Sequence, residues 1–562
     1  MARSKAPSRP GAAKTRDFLG WTGGALLFGL FSVAALGIYW NALEGGFFSD
    51  DHQVLVLNPY VQRIDATHLW DIVNPRGGAA QTTLNYAPVH MLLHALEWRV
   101  FGSEVFGYHL VNVFVHALAA TLLVALLLTS RFPRPVCLLG GAIFLLHPAN
   151  VEAVAWIFQL KTSAALVLTE ACLLLRGRRP ALATGLFALA LLTKPTAAVA
   201  LPIAALLDWT REHRLQRKWL GIWALVFCVI GVLEFGLFQQ GGEQGPLHAD
   251  PLVWGRSIVA FAARYLVMAY TTLGLSLFHQ PALALSWLDP WWLGGCVALA
   301  LLGWRTVAGL RERREEAVWW LWAAISFAPI SQIFPFIYSL GDRYLYFILP
   351  GLIGGSIGLG CNLIASLLGS RDQRQPPRWL QGVATGLVLA LVVGLTARSF
   401  ERATLWRSEA LLLSDAARNY PHGHHAHLLS ARRAAGSDDW TATADALRNA
   451  FETGYSSLQL LVVDPLFARG SNHAAMYAVF RDMASAQIEE IRALEDPDQG
   501  QLHRLAFAHL TRQDLDEAVA ALERAVEVGG PRTEIMRSEL EGARALRARG
   551  GRFQPSAPGV HR

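Results

Sequence analysis

"EVFGYHLVNVFVHALAATLLVALLLT", residues 104–129, decides the fold class. After Glu104 it holds no Asp, Glu, Lys or Arg, and it exceeds the about 20 apolar residues that carry a helix across a bilayer. In hydrocarbon a helix satisfies every backbone N–H and C=O within its own segment, so the stretch reads as a transmembrane α-helix. Windows of the same kind are read at 18–40, 104–129, 136–156, 162–175, 180–193, 196–209, 219–239, 291–309, 317–336, 344–368 and 379–398. The expectation is an all-α polytopic membrane protein of about 11 spans, the fourth to sixth of them short.

Composition agrees. The chain has 562 residues, 53% hydrophobic and 16% charged, where soluble domains carry about 25% charged residues. The cysteines Cys137, Cys172, Cys228, Cys296 and Cys361 lie in apolar segments without metal-ligand or disulfide spacing and read as packing residues. The net charge of +6 sits in short loops, which argues for topology and against a nucleic-acid partner. The arm 1–17 (Arg3, Lys5, Arg9, Lys14, Arg16), "SRFPRP", "RGRRP", "REHRLQRK", "RERREE" and "SRDQRQPPR" fall on one side of this threading, the cytoplasmic side by the positive-inside rule. The first span is too long for a signal peptide and is expected to stay uncleaved. A bacterial inner membrane is the expected location.

The opposite face receives loops 41–103, 240–290 and 337–343. Within them, 86–102 and 254–275 are apolar yet carry His and Arg, and read as helices lying along the surface. The core then spans 18–400, followed by a polar, Ala/Leu/Arg/Glu-rich region at 401–550, which an odd span count puts in the periplasm. In "QLHRLAFAHLTRQDLDEAVAALERAVEVGGP" (501–531), Leu505, Ala506, Ala518, Leu522, Ala525 and Pro531 follow the about 34-residue tetratricopeptide pattern. Residues 428–454 fit it more loosely through Leu447 and Ala450, and a plain helical hairpin is the alternative. Residues 551–562 read as a loose tail.

"GGFFSDDHQVLVLNP" (45–59) places Asp50 and Asp51 just beyond the first span. Ionisable groups at membrane depth are costly and mark function when they face a cavity. One carboxylate could take the proton of an attacking hydroxyl, or the pair could hold a divalent cation, while a solvated loop with a helix cap is the plain alternative. On the same face lie His147, Glu152 and Lys161 of "HPANVEAVAWIFQLK", and Asp342, Arg343, Tyr344 and Tyr346 of "GDRYLY". Arg and Lys are the groups that bind a phosphate and stabilise its departing charge. Lys194, before Pro195, is either a further phosphate contact or a simple helix-end cation.

The ordered segments "FFSDDHQVLVLNPYV", "YAPVHMLLHAL", "FGYHLVNVFVHAL", "LLHPANVEAVAWIFQLK", "LLTKPTAAVALPIAALLDW" and "GDRYLYFILPGL" resemble membrane proteins that combine a GT-C glycosyltransferase core with tetratricopeptide repeats. These are the bacterial relatives of the transmembrane and tetratricopeptide-containing O-mannosyltransferases. The resemblance covers most of 40–360. It implies inverting transfer of a sugar from a polyprenyl-phosphate donor to an acceptor hydroxyl on the extracytoplasmic face. It makes Asp50 the base, with Asp51 orienting the acceptor or supporting a metal. "HPANVEAV" matches the second-loop motif at His147, Pro148 and Glu152, and "DRYLY" the late-loop motif at Asp342, Arg343 and Tyr344, the expected donor-phosphate contact. Relatives often carry an Arg-Lys-Asp or Arg-Ala-Asp string where this chain has Gln159, Leu160, Lys161 and Thr162, so an acid is absent. Three functions stay open: transfer to Ser/Thr of exported protein through the repeat domain, transfer to lipid or surface polysaccharide, and a non-enzymatic transporter or assembly scaffold.

Overall fold

The computed structural model describes residues 20–83, 86–212, 215–238, 247–333, 338–368, 378–529 and 533–554, all of them helix, turn or loop without a strand. Among the described residues seven helices are long and apolar enough to cross a membrane, or eight if the pair Arg134–Leu145 and Pro148–Ala155, bent by 46°, is one span. The eleven expected crossings are not all present as such helices.

The reasons are local. The window 162–175 is the body of a helix that begins with a 3-10 turn at Ile157, so the candidate span is Ile157–Leu175. The next helix, Pro180–Thr193, stops because Lys194 turns extended (φ −159°, ψ 129°) ahead of Pro195, whose ring disfavours α geometry in the residue before it. The window 196–209 divides into a 3-10 turn, Pro195–Val199, and the short helix Ala200–Leu207. The window 317–336 forms only Glu315–Phe327 before the turn Ala328–Ile330. Arg217–Phe238 is long but carries Arg217, Lys218 and Glu234. Conversely Pro251–Thr271, expected on the surface, passes as a candidate span. Asp250 caps it by accepting from Leu252 N (2.8 Å), and Thr272 in the left-handed region (φ 60°) ends it.

The membrane core is packed around tyrosine, tryptophan and phenylalanine, with Trp322, Tyr39, Tyr346 and Phe144 fully buried. Asp342–Ser366 lies against Glu315–Phe327 so closely that a Cβ at Gly351 would land on the backbone of Ala323. Here glycine is required by contact, as is usual where membrane helices approach through small residues.

From Glu409 onward the chain forms antiparallel helix pairs over their own apolar core, including Leu447, Phe467, Met476, Leu502, Ala518 and Leu522. His424–Gly436 pairs with Trp440–Glu452, and Gln499–Thr511 with Leu515–Val528. Both hairpins turn the same way. Asp438 (φ 56°) and Gln513 (φ 68°) hold the left-handed position, and the following Asp439 and Asp514 donate back to Ala434 O and His509 O. The glycine ending each second helix recurs as Gly454 (φ 104°) and Gly529 (φ 70°). Within the expected loose tail, Phe553 is buried; 555–562 lie outside the described residues.

Candidate active site

The first helix continues through a 3-10 turn, Trp40–Glu44, into the loop that carries the acidic pair. Asp51 is 1% exposed and its two oxygens are both committed: Oδ2 accepts from Phe48 N and Oδ1 from Phe158 N, each at 2.8 Å. It therefore closes its own loop and staples it to the second loop. Trp156 reinforces the joint by donating to Phe48 O (3.2 Å) and packing edge-on against the Phe48 ring. Burial pushes the Asp51 carboxyl up to about 8 against the pull of the two amides.

Asp50 is different. It is half-buried, among the described residues its side chain meets only Ser49 Oγ at 3.4 Å, and Lys161 and Tyr338 lie within its electrostatic reach. Ser49 in the left-handed region (φ 50°) makes the bend that separates the two acids' surroundings. With Asp51 spent on amides, Asp50 is the only carboxylate of the pair left to meet a ligand, and no group of three or more His, Cys, Asp or Glu able to hold a metal occurs among the described residues.

The second and late loops meet at Glu152 and Arg343. Glu152 Oε2 accepts from Arg343 N (2.9 Å), and Oε1 is ion-paired to Arg343 Nη1. The guanidinium lies 4.5 Å from the Tyr338 ring centroid and 4.6 Å from that of Tyr344, and donates to Tyr344 OH (3.0 Å). A buried Arg held on one edge by a carboxylate and flanked by two phenols is fixed in place before any ligand arrives.

Two lysines complete the cluster. Lys161 Nζ lies 3.7 Å from the Phe158 ring centroid, and Lys194 Nζ donates to Thr162 Oγ1 (2.7 Å), which in turn donates to Gln159 Oε1 (2.6 Å). Thus the Gln-Leu-Lys-Thr departure forms a neutral relay under Lys194 in place of an acid. Lys161, Lys194 and Arg343 lie within each other's electrostatic reach, and among the described residues neither lysine ends in an ion pair. Asp50, Glu152 and Glu234 lie within the same reach, so three basic groups face three carboxylates.

Two expected contacts have other partners. His147 spends both nitrogens on structure, Nε2 on Ala269 O (2.9 Å) and Nδ1 as acceptor of Ala149 N (3.1 Å). Asp342 faces His279 Nε2 (2.8 Å) and Arg402 Nη2 (3.4 Å). Both bear on the positions of their neighbours. Tyr346 is buried and bonded to His116 Nδ1 (2.8 Å).

The sequence reading missed Glu234, whose Oε2 accepts from Tyr86 N (3.1 Å) and whose field reaches Lys161. A lone acid inside an apolar window was the available signal. His90, which the sequence offers only as one of several scattered histidines without a zinc signature, meets His94 edge-on at 4.4 Å and is kept neutral by burial and by the fields of His94, Lys161 and Lys194.

Fold and site together define a multi-pass helical membrane protein with a shielded cluster of two lysines, an arginine and three carboxylates. Over part of its length the chain is a distant homologue of the transmembrane and tetratricopeptide-containing protein O-mannosyltransferases, a relationship that points to a membrane glycosyltransferase. It is 28% identical over 253 residues to the Drosophila melanogaster protein O-mannosyl-transferase Tmtc2, covering 40% of this chain and 27% of that protein. It is 22% identical over 400 residues to a Caenorhabditis elegans protein O-mannosyl-transferase, covering 67% of this chain and 55% of the relative. Against human TMTC1 the match is 31% over 134 residues, 23% of this chain and 15% of the human protein. The chain thus spans about half or less of these relatives. No family model and no solved structure matches it.

Proposed function

We propose that the protein is an inverting glycosyltransferase that moves a sugar from a polyprenyl-phosphate carrier to a hydroxyl, with Ser or Thr of exported protein as acceptor, on the extracytoplasmic face. The observation that carries this reading is the cluster of Lys161, Lys194 and Arg343, with Asp50 in reach of Lys161 and, among the described residues, neither lysine in an ion pair. The acceptor oxygen attacks the anomeric carbon as Asp50 takes its proton. The bond from that carbon to the phosphate oxygen breaks, and its electron pair leaves on the phosphate, where the three cations stabilise it. Attack opposite the leaving group inverts the configuration. Tyr344 and Glu152 hold the Arg343 fork, and Asp51 holds the loop that presents Asp50. An apolar groove of about 390 Å³, lined by Leu266, Leu302, Trp320 and Phe327, ends at Tyr265, whose hydroxyl accepts from Gly341 N (3.1 Å). It offers the lipid chain a course toward the Arg343 loop.

The test is intact-mass and glycopeptide analysis of exported proteins from cells making the native chain or Asp50→Asn at equal membrane level. A hexose-sized or larger adduct lost only in the variant is expected. Protein masses that do not differ, with a changed surface polysaccharide, would move the acceptor to lipid or glycan; no change in either would remove Asp50 as the base. Labelling of a cysteine placed at exposed Glu452 by a membrane-impermeant reagent, in a Cys228→Ala background, checks the side: labelling in intact spheroplasts is expected.

A further inference from the structure

The joint between the membrane core and the C-terminal helical region is built on histidine. The core supplies Phe278, His279 and Gln280, and the other side supplies Tyr420 and the run "HGHHAH" at 422–427. Phe278 packs against the apolar clusters of both parts. The His425 ring stacks on it, centroids 3.9 Å apart and planes 17° from parallel, and the His424 ring lies 4.2 Å from that of His425. Gln280 Nε2 is bonded to His424 Nδ1, and the same amide lies so close to Gly423 that a Cβ there would strike it. His279 bridges the joint with both nitrogens, Nε2 on Asp342 (2.8 Å) and Nδ1 on Tyr420 OH (3.0 Å).

His279 has a carboxylate partner, and among the described residues His425 has none. The His425 Nδ1 is buried without a hydrogen-bond partner, so a neutral ring with its N–H on Nε2 fits the seat. A second proton would place an N–H at Nδ1 with no acceptor. Burial, and after it the field of His424, pushes the His425 imidazole down to about 3. The pull of the Phe278 face on an imidazolium acts the other way and is the weaker effect. His424 is lowered too, by burial, against Thr453 O (3.4 Å) and with the field of His427 added; its ring also meets that of Tyr455 at 5.8 Å. The remaining charges of the joint have partners of their own: Asp342 faces His279 and Arg402, Arg402 also holds Asp415, and Arg264, near Tyr420, lies over Trp291.

We propose that this joint is an acid-sensitive latch: with His425 neutral the C-terminal region stays docked on the membrane core, and a proton on His425 drives the two apart. The sign follows from linkage. Undocking returns the ring to water, where it ionises near its ordinary 6.5, so docking is strongest above that pH and weakens as pH falls toward 3. One such histidine weakens docking about 30-fold between about pH 7.5 and about pH 5. Asp342 immediately precedes Arg343, so opening the joint also disturbs the loop assigned to the donor phosphate. That last consequence rests on the transferase reading above; the latch itself does not.

The test is limited proteolysis of the full-length chain in detergent by proteinase K, with the native protein beside His425→Phe, which keeps a ring on Phe278 but cannot ionise. Taking the ratio of the two rates at each pH cancels the protease's own pH dependence. Cleavage within 404–424, the segment that undocking frees, is expected to rise in the native chain relative to His425→Phe by about 30-fold from about pH 7.5 to about pH 5. The pair Gln499–Thr511 and Leu515–Val528, away from the joint, should stay equally protected throughout. A ratio that holds within about twofold over that range would overturn the proposal, as would an equal rise of cleavage in the distant pair, which would mean general unfolding. Where the larger ring disturbs the stack, His425→Gln, also unable to ionise, gives the same comparison and the same two outcomes. Neither readout involves sugar transfer, so the latch can fail while the transferase reading stands.

Discussion

Asp50 and Asp51 are neighbours with opposite duties, and substitution should separate them. Asp50→Asn removes the carboxylate proposed as the base but breaks only a 3.4 Å contact with Ser49 among the described residues. Transfer should fall about 10²–10⁴-fold in kcat with donor KM and thermal midpoint nearly unchanged, as kinetics and unfolding in detergent would report. Asp51→Asn instead sets an NH₂ against one of two backbone donors, at a cost of about 1–3 kcal/mol, so midpoint and activity should fall together. The pH dependence has a definite sign. Because burial lifts the folded Asp51 to about 8 from 3.8, the unfolded chain ionises first, and Asp51's contribution to stability should decline from about pH 4 to about pH 8. The midpoint of the native chain should show that slope and Asp51→Asn should lack it. For the lysines, Lys161→Met and Lys194→Met should each raise donor KM about tenfold or more, through the loss of a charge-assisted contact to phosphate. These residues were legible because motif and membrane depth both flagged them. Glu234 was not, since its partner amide, Tyr86 N, lies far away in the sequence and only the fold brings them together.

At the scale of elements, hydropathy found where the chain is apolar but not where it turns. Pro195 divides one apolar stretch and the His147–Pro148 corner bends another, because the fixed proline φ and the lost N–H outweigh uniform side chains. Pro251–Thr271 was set on the surface for its Arg256 and Arg264. In the structure Arg256 donates to the carbonyls of Ala284 and Leu285 and lies over Trp287, so its charge is served from within the protein. The C-terminal helix pairs were legible from small residues at helical spacing, since those residues set how closely two helices approach. The same logic yields a prediction for the membrane core. Gly351→Ala drives a Cβ into the Ala323 backbone and should destabilise by about 1–3 kcal/mol, read as a lower midpoint in detergent. Gly360→Ala, with nothing within 4 Å, should leave that midpoint within about 0.5 kcal/mol of native.

Across the whole molecule, the late loop joins the membrane core to the C-terminal helical region. Asp342 precedes Arg343, yet its carboxylate serves the other side: it takes His279 Nε2 at 2.8 Å and Arg402 Nη2 at 3.4 Å. Arg402 also holds Asp415 of the helix Glu409–Asn419 (2.9 Å), and His279 Nδ1 meets Tyr420 OH (3.0 Å). The Phe278 ring stacks on His425 at 3.9 Å, continuing the same seam. One short backbone step therefore separates the groups that dock the repeat domain from the guanidinium assigned to the donor phosphate. Arg402→Met leaves buried Asp342 with His279 Nε2 and Ser276 N alone and cuts Asp415 loose, at a cost of about 3–5 kcal/mol when a buried pair loses one member. The structure concentrates that loss at the seam, so the repeat domain should loosen before the membrane core unfolds. Limited proteolysis should then cut within 404–424 at least about tenfold faster, and donor KM should rise as the Arg343 loop shifts, although Arg402 touches no substrate. Faster cleavage with an unchanged donor KM would mean that docking and donor binding are separate, and that Asp342 merely fastens two domains together.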